Sequence, residues 1–356
     1  MLIYLGCSAL AAFLFNIVLQ LVGEPSPLAM AHLVFTVAIL PLIVGAITHF
    51  VPVLTRSGGA HRAVQALPVL FQIAGLLAFF HFYGWLARGA LHAAAGLLLP
   101  ACAGFIAWMI RRARRTLGKP HPGWRWYLAA VACLLVGLAI VPVMDYWPDM
   151  WLSLRLLHLH LNTLGFIGLT AIGTLQVLMP TILAGPDVEA SARLRDDLAP
   201  AVAGVFLIAL GAAVWSPEWR LVRWTLLLPG SLCLLYVIGR LALAWIRRYG
   251  WSSMAGNGAA ASLAGALGGL LLLVALGIAH GLGRLNGHDA VPAFIAGFLL
   301  PLVTGALTQL LPVWCTPGKR TAMRDRLHAT LGLGGVFRVD AVAHHVLGDE
   351  GQDLAH

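Results

Sequence analysis

The chain has 356 residues, of which 60% are hydrophobic and only 10% are charged. A soluble globular protein is nearer half apolar and a quarter charged, so this composition excludes a soluble domain. The formal net charge of +9 does not indicate nucleic-acid binding, because the basic residues fall between long apolar runs, as membrane topology requires.

Ten apolar runs follow one another along the chain, and each is predicted to form a helix. About 20 apolar residues cross the hydrocarbon core of a bilayer as a helix, whereas membrane strands are shorter and alternate with a period of two. These runs are rich in Leu, Ala and Gly and do not alternate. In chain order they cover residues 2–22, 28–54, 64–86, 90–111, 126–147, 152–184, 198–215, 222–246, 257–283 and 291–314. The sequence therefore predicts an all-α integral membrane protein with about ten transmembrane helices surrounded by lipid.

Basic residues are concentrated in alternate connections between these runs. The richer set comprises Arg56, Arg62, Arg111, Arg112, Arg114, Arg115, Lys119, Arg125, Arg193, Arg195, Arg247, Arg248, Lys319, Arg320, Arg324 and Arg326. The other connections hold only Arg88, Arg155, Arg220, Arg223 and Arg284. The positive-inside rule places the richer set in the cytoplasm. We therefore expect a multi-pass protein of a bacterial-type inner membrane, with its amino terminus in the cytoplasm.

The second, sixth and tenth runs share one pattern, in which a glycine precedes a proline by seven residues. The pairs are Gly45 and Pro52, Gly173 and Pro180, and Gly305 and Pro312, and the glycines lie 128 and 132 residues apart. Such spacing predicts pseudo-threefold four-helix repeats, covering about residues 1–118, 119–250 and 251–337 of a single transmembrane domain, 1–337. The third repeat is expected to be incomplete, since Leu327–Phe337 begins an apolar segment too short to span. Residues 338–356 are predicted to be a disordered cytoplasmic tail.

Two histidines fall at matching places in these repeats. His32 and His160 each lie thirteen residues before the repeat glycine, where the third copy has Pro292. Other candidate ligands predicted on the same outer side are His81, His158, His280 and Met30. Imidazole suits haem iron and copper, and thioether suits Cu(I). We expect cofactor binding by these five histidines, with His32, His160, His158 and Met30 as the metal ligands.

A structural alternative stays open for the same side chains. A histidine near a helix end can instead hydrogen-bond a neighbouring helix or reach the headgroup region. His158 and His160 are two residues apart on one helix and point about 200° from each other, so both are not expected to bind one metal.

The sequence from His158 to Leu175, followed by Met179-Pro180-Thr181, resembles the sixth helix of the haem–copper oxidase subunit I superfamily and its NnrS-like relatives. The resemblance covers about residues 1–335. It implies twelve helices in three four-helix arcs, a low-spin haem ligand at His32 and a copper ligand at His158 or His160. The family's histidines on helices 7 and 10 are absent from residues 198–215 and 291–314, so oxygen reduction is not expected.

The leading hypothesis is therefore a non-pumping membrane protein that binds haem, copper or both. It would act in electron transfer or in nitric-oxide or metal handling, with a redox partner or partner subunit in the membrane. A copper or small-solute transporter with an outer His/Met capture site is one alternative, for which the inner half offers Thr48, His49, Gln176 and Gln309. A structural member without a cofactor is the other.

Overall fold

The computed structural model describes residues 1–23, 26–183, 187–282, 284–285 and 290–315. Within these ranges the regular elements are all helical, and no strand occurs. The predictions made for the end of the third repeat and for the tail concern residues beyond 315 and lie outside the described part of the chain.

Ten helices in the described residues are long and apolar enough to cross a membrane. They are α1 Leu2–Val22, α2 Pro27–Leu54, α3 Arg62–Phe82, α4 Gly89–Arg114, α5 Gly123–Tyr146, α6 Pro148–Leu183, α7 Ala190–Ala213, α8 Pro217–Tyr249, α9 Gly258–Gly281 and α10 Ala290–Pro312. This confirms the prediction of a multi-pass, all-helical membrane protein.

The largest error in the predicted boundaries concerns α7. The apolar run begins at residue 198, but the helical span begins at Ala190, so that Arg193 and Arg195 are helical. Contacts with other helices stabilise this first part of α7 as a helix despite its polar composition. The Nε1–H of Trp126 on α5 donates to the carbonyl oxygen of Leu194 at 2.8 Å, which joins the start of α7 to the bundle.

Three of the ten helices contain a π-helical segment. A π-helical segment interrupts α2 at Leu33–Ile39, α6 at Leu161–Gly168 and α10 at Ile295–Leu299. A π-helix bonds each residue to the fifth neighbour instead of the fourth, and such segments are frequent at functional sites. The first two segments begin directly after His32 and His160.

Six helices close into a ring. The packing order is α1 on α2, α2 on α5, α5 on α6, α6 on α9, α9 on α10, and α10 on α1. The pair α3 and α4 packs against α2 and α5, and the pair α7 and α8 packs against α6 and α9. Because successive helices run in opposite directions, His32, His81, His158, His160 and His280 share one end of the bundle, the histidine end. The opposite end, with Arg112, Arg193 and Arg248, is the arginine end.

The few arginines at the histidine end include three with local partners. Arg88 bonds the carboxylate of Asp145, while Arg155 and Arg223 lie over the rings of Trp151 and Trp215, each 5.2 Å from the ring centroid. A guanidinium that lies on an aromatic ring at the membrane boundary makes a favourable cation–π contact while its charged end remains hydrated. These partners explain why three arginines are tolerated at the end of the bundle that otherwise has few basic residues.

Close backbone approach fixes how two helix pairs pack. A Cβ atom on Gly269 of α9 would overlap the carbonyl of Gly297 in the π segment of α10, whose carbon would lie 2.8 Å away. A Cβ on Gly75 of α3 would overlap the carbonyl of Thr36 in the π segment of α2, whose carbon would lie 2.6 Å away. Both obstacles are backbone, so a helix would have to move to make room. Only glycine fits at these two positions.

The substitution Gly269→Ala is therefore expected to lower the free energy of unfolding by about 1–3 kcal/mol, the usual cost of overpacking. Unfolding by sodium dodecyl sulfate in mixed micelles, followed by far-ultraviolet circular dichroism, would measure it. A Cβ on the adjacent Gly268 would meet no neighbouring atom within 4 Å, so Gly268→Ala is the matched control: it gains the same helix propensity without the overlap and should not lower the midpoint. Equal midpoints for the two variants would show that α9 and α10 do not meet at Gly269.

Candidate cofactor site

His32 lies at the histidine end of α2, and one of its ring nitrogens is already hydrogen-bonded. Its Nδ1 lies 2.7 Å from the carbonyl oxygen of Leu28, one helical turn earlier. A carbonyl oxygen can only accept, so Nδ1 carries the proton and the Nε2 of the neutral ring keeps a free lone pair. Phe82 of α3 lies against the imidazole with the ring centroids 4.2 Å apart, which limits its rotation. The half-buried ring is thus oriented with Nε2 as its ligating atom.

His160 is held in the same way on α6. Its Nδ1 lies 2.8 Å from the carbonyl oxygen of Leu156, again four residues earlier. The two histidines that match in the sequence repeat therefore share one side-chain arrangement, and a π segment follows each of them directly.

His158 points to a different neighbour. Its Nδ1 lies 2.8 Å from the carbonyl oxygen of Gly137 on α5, while the side chain of Asn162 donates to the backbone carbonyl of His158 at 2.7 Å. A Cβ on Gly137 would lie only 2.7 Å from the amide nitrogen of Asn162. Glycine at position 137 lets α5 approach α6 closely enough to hold the His158 ring.

His81 and His280 occupy the ends of α3 and α9. The Nδ1 of His81 lies 3.0 Å from the carbonyl oxygen of Leu86, and the Nδ1 of His280 lies 2.8 Å from that of Leu285. Each ring therefore closes a local turn five residues long through this nitrogen.

The five rings fall into two groups. His158 and His81 are both close enough to His32 to interact with it electrostatically, and His280 is close enough to His160. Phe82 also contacts His81, with the centroids 5.0 Å apart, so it bridges two members of the first group. No sequence pattern pointed to Phe82 or to the five carbonyl acceptors, because they belong to neighbouring turns and helices.

Met30, the predicted thioether ligand, lies 7% exposed within the hydrophobic core. In the described ranges, no group of three or more His, Cys, Asp or Glu side chains has an arrangement suited to a metal ion. Haem iron can be held by a single protein side chain, and an oriented imidazole such as that of His32 or His160 fits that requirement.

The other half of the bundle holds the polar residues that a transport path would need. Thr48 donates its hydroxyl to the carbonyl oxygen of Gly45 at 2.7 Å, and His49 is exposed on the outside of its helix. Gln176 is fully buried, and neither its amide nitrogen nor its amide oxygen has a hydrogen-bond partner among the described residues. No hydrogen bond joins these polar groups to one another in that part of the structure.

The chain matches no protein-family model, no curated protein and no solved structure. Membership of the oxidase superfamily, suggested by the sequence of α6, therefore stays a prediction.

Proposed function

We propose that this chain is a non-pumping, haem-binding protein of a bacterial inner membrane, related in plan to the oxidase subunit I superfamily. Its role would be electron transfer or nitric-oxide or metal handling, together with a redox partner or partner subunit. One observation carries the proposal: five histidines at one end of the bundle each place Nδ1 on a backbone carbonyl. Ligating histidines commonly donate their other N–H to a carbonyl or carboxylate, which fixes the tautomer that a metal requires.

The grouping of the rings favours particular residues as ligands. His32 and His160 are the first candidates, because they share one arrangement in matched positions of the repeat. His158 and His81 are further candidate ligands in the group of His32, and His280 is a further candidate in the group of His160. Haem, when bound, supplies one-electron chemistry. The chain itself would hold each imidazole in a fixed orientation, and the helices would exclude water around it.

A three-repeat architecture is supported by small residues as well as by the glycine–proline pairs. Gly269 on α9 lies 132 residues after Gly137 on α5, and Ala9 on α1 lies 128 residues before Gly137. These separations equal those of the repeat glycines on α2, α6 and α10. The matched π segments and the closed ring of six helices agree with the same plan, in which the first two helices of each repeat line the ring.

An absorption spectrum with metal analysis tests the proposed function. The full-length protein, expressed with a haem precursor and purified in a mild detergent, is expected to show a Soret band and stoichiometric iron. Bound copper without haem would support the transporter alternative and contradict the proposal. Protein that is monodisperse and helical but lacks haem, iron and copper would leave only the structural alternative.

A further inference from the structure

A cavity of about 310 Å³ opens at the arginine end, between the start of α7 and the end of α8. It lies far along the bundle from the histidines. Its polar and aromatic lining consists of Asp187, Glu189, Arg193, Trp245, Arg247 and Arg248.

The charged lining has a net positive charge, and two of its arginines are held in place by ion pairs. Three arginines face two carboxylates, which gives a formal charge of +1. The Asp187 side chain is 1% exposed, and its two oxygens accept from Arg193 at 2.6 Å and from Arg248 at 3.1 Å. Arg193 also lies 3.6 Å from Glu189. Arg247 has no ion pair with any residue that the structure describes.

Two residues of this lining have buried N–H groups without an acceptor. The Nε of Arg193 and the Nε1 of Trp245 have no hydrogen-bond partner in the described ranges, although the residues are only 8% and 2% exposed. Both groups are donors only. A cation or an apolar group cannot satisfy them, and leaving a buried donor unpaired is unfavourable. The two donors therefore favour an occupant that is rich in hydrogen-bond acceptors.

We propose that this cavity binds a phosphate group, carried by an anionic membrane lipid or by a free phosphate compound. Guanidinium groups recognise phosphate oxygens through several parallel hydrogen bonds. Basic pockets between helices on the cytoplasmic side are suited to lipid headgroups. The cavity lies where α7 begins at Ala190 and α8 ends at Tyr249, and the headgroup region is expected at such ends of spanning helices. Asp187 would keep Arg193 and Arg248 in place while Arg247 contacts the phosphate, and a small shift of the lining side chains would bring the two buried N–H groups to it.

Thermal unfolding of the full-length protein in a neutral detergent tests the proposal. Added phosphatidylglycerol is expected to raise the Tm by several degrees more than the same amount of phosphatidylcholine. The variants Arg247→Gln and Trp245→Phe should lose at least half of that difference. Arg114→Gln and Trp251→Phe are matched controls on exposed residues outside the cavity and should keep it. Circular dichroism would verify that each variant is folded before lipid is added.

Inorganic phosphate separates the two sources of the ligand. If millimolar phosphate alone reproduces the rise in Tm, and the same two variants lose it, the occupant is a free phosphate compound. If only the lipid acts, the occupant is a headgroup. Equal effects of the two lipids without any effect of phosphate, or an undiminished response in both cavity variants, would overturn the proposal. The haem proposal is unaffected by either result, because the histidines lie at the other end.

Discussion

The variant His32→Ala is expected to lose at least about tenfold in haem affinity, since removal of only a residue that orients a metal ligand already costs that much. His32 has the most complete setting of the five histidines. Its Nδ1 is fixed by Leu28, its face is covered by Phe82, and two further imidazoles lie within electrostatic range. Haem per protein, from the pyridine haemochrome spectrum of the purified variant, would measure the loss.

His49→Ala is the matched control, because His49 lies on the same helix but is exposed in the other half of the bundle. It should retain the full haem content. His160→Ala tests the second group separately: if both groups hold a haem, each single variant loses about half of the iron, and the double variant loses all of it. A Soret band of unchanged height and position in both His32→Ala and His160→Ala would exclude these residues as ligands.

Hydrophobic runs were sufficient to predict the ten spans, because a helix that crosses hydrocarbon must be apolar along its whole length. The exception is the start of α7, where Arg193 and Asp187 compensate each other's charge and Trp126 supplies a hydrogen bond. Paired charges of this kind allow a helix to extend beyond its apolar run. A hydropathy pattern does not predict such partners, because they come from other parts of the chain.

The repeat predicted equal depth for His32 and His160, but it did not predict how their rings are hydrogen-bonded. That hydrogen bonding depends on the carbonyls of Leu28 and Leu156, which face the rings only after the helix and the rotamer are set. For His158 the acceptor is Gly137, on another helix and 21 residues away. The π segments were also missed, since their first residues have ordinary helical composition.

Asp187→Asn is expected to destabilise the protein by about 3 kcal/mol at neutral pH, because loss of one member of a buried ion pair leaves the other charge uncompensated. The carboxylate of Asp187 is 1% exposed, and it is the shared partner of Arg193, itself 10% exposed in its side chain, and of Arg248. Asp196→Asn is the control at the same end, because the Asp196 side chain is 62% exposed and its pair with Arg240 spans 3.7 Å. Such a surface pair contributes about 0–1 kcal/mol.

The pH dependence of this difference gives a second, independent check. Burial opposes ionisation of Asp187, but the hydrogen bonds from Arg193 and from the backbone N–H of Glu189, with the charges of Arg193 and Arg248, outweigh it and hold the pKa of the carboxyl below its usual range. A group with a lowered pKa in the folded state stabilises the protein above its unfolded pKa of about 4 and loses that contribution as the pH falls towards the folded value. The difference in Tm between wild type and Asp187→Asn should therefore be constant between about pH 6 and 8 and shrink below about pH 4. A difference that stays constant down to the lowest pH at which the protein remains folded would show that Asp187 does not link α7 and α8 as an ionised carboxylate.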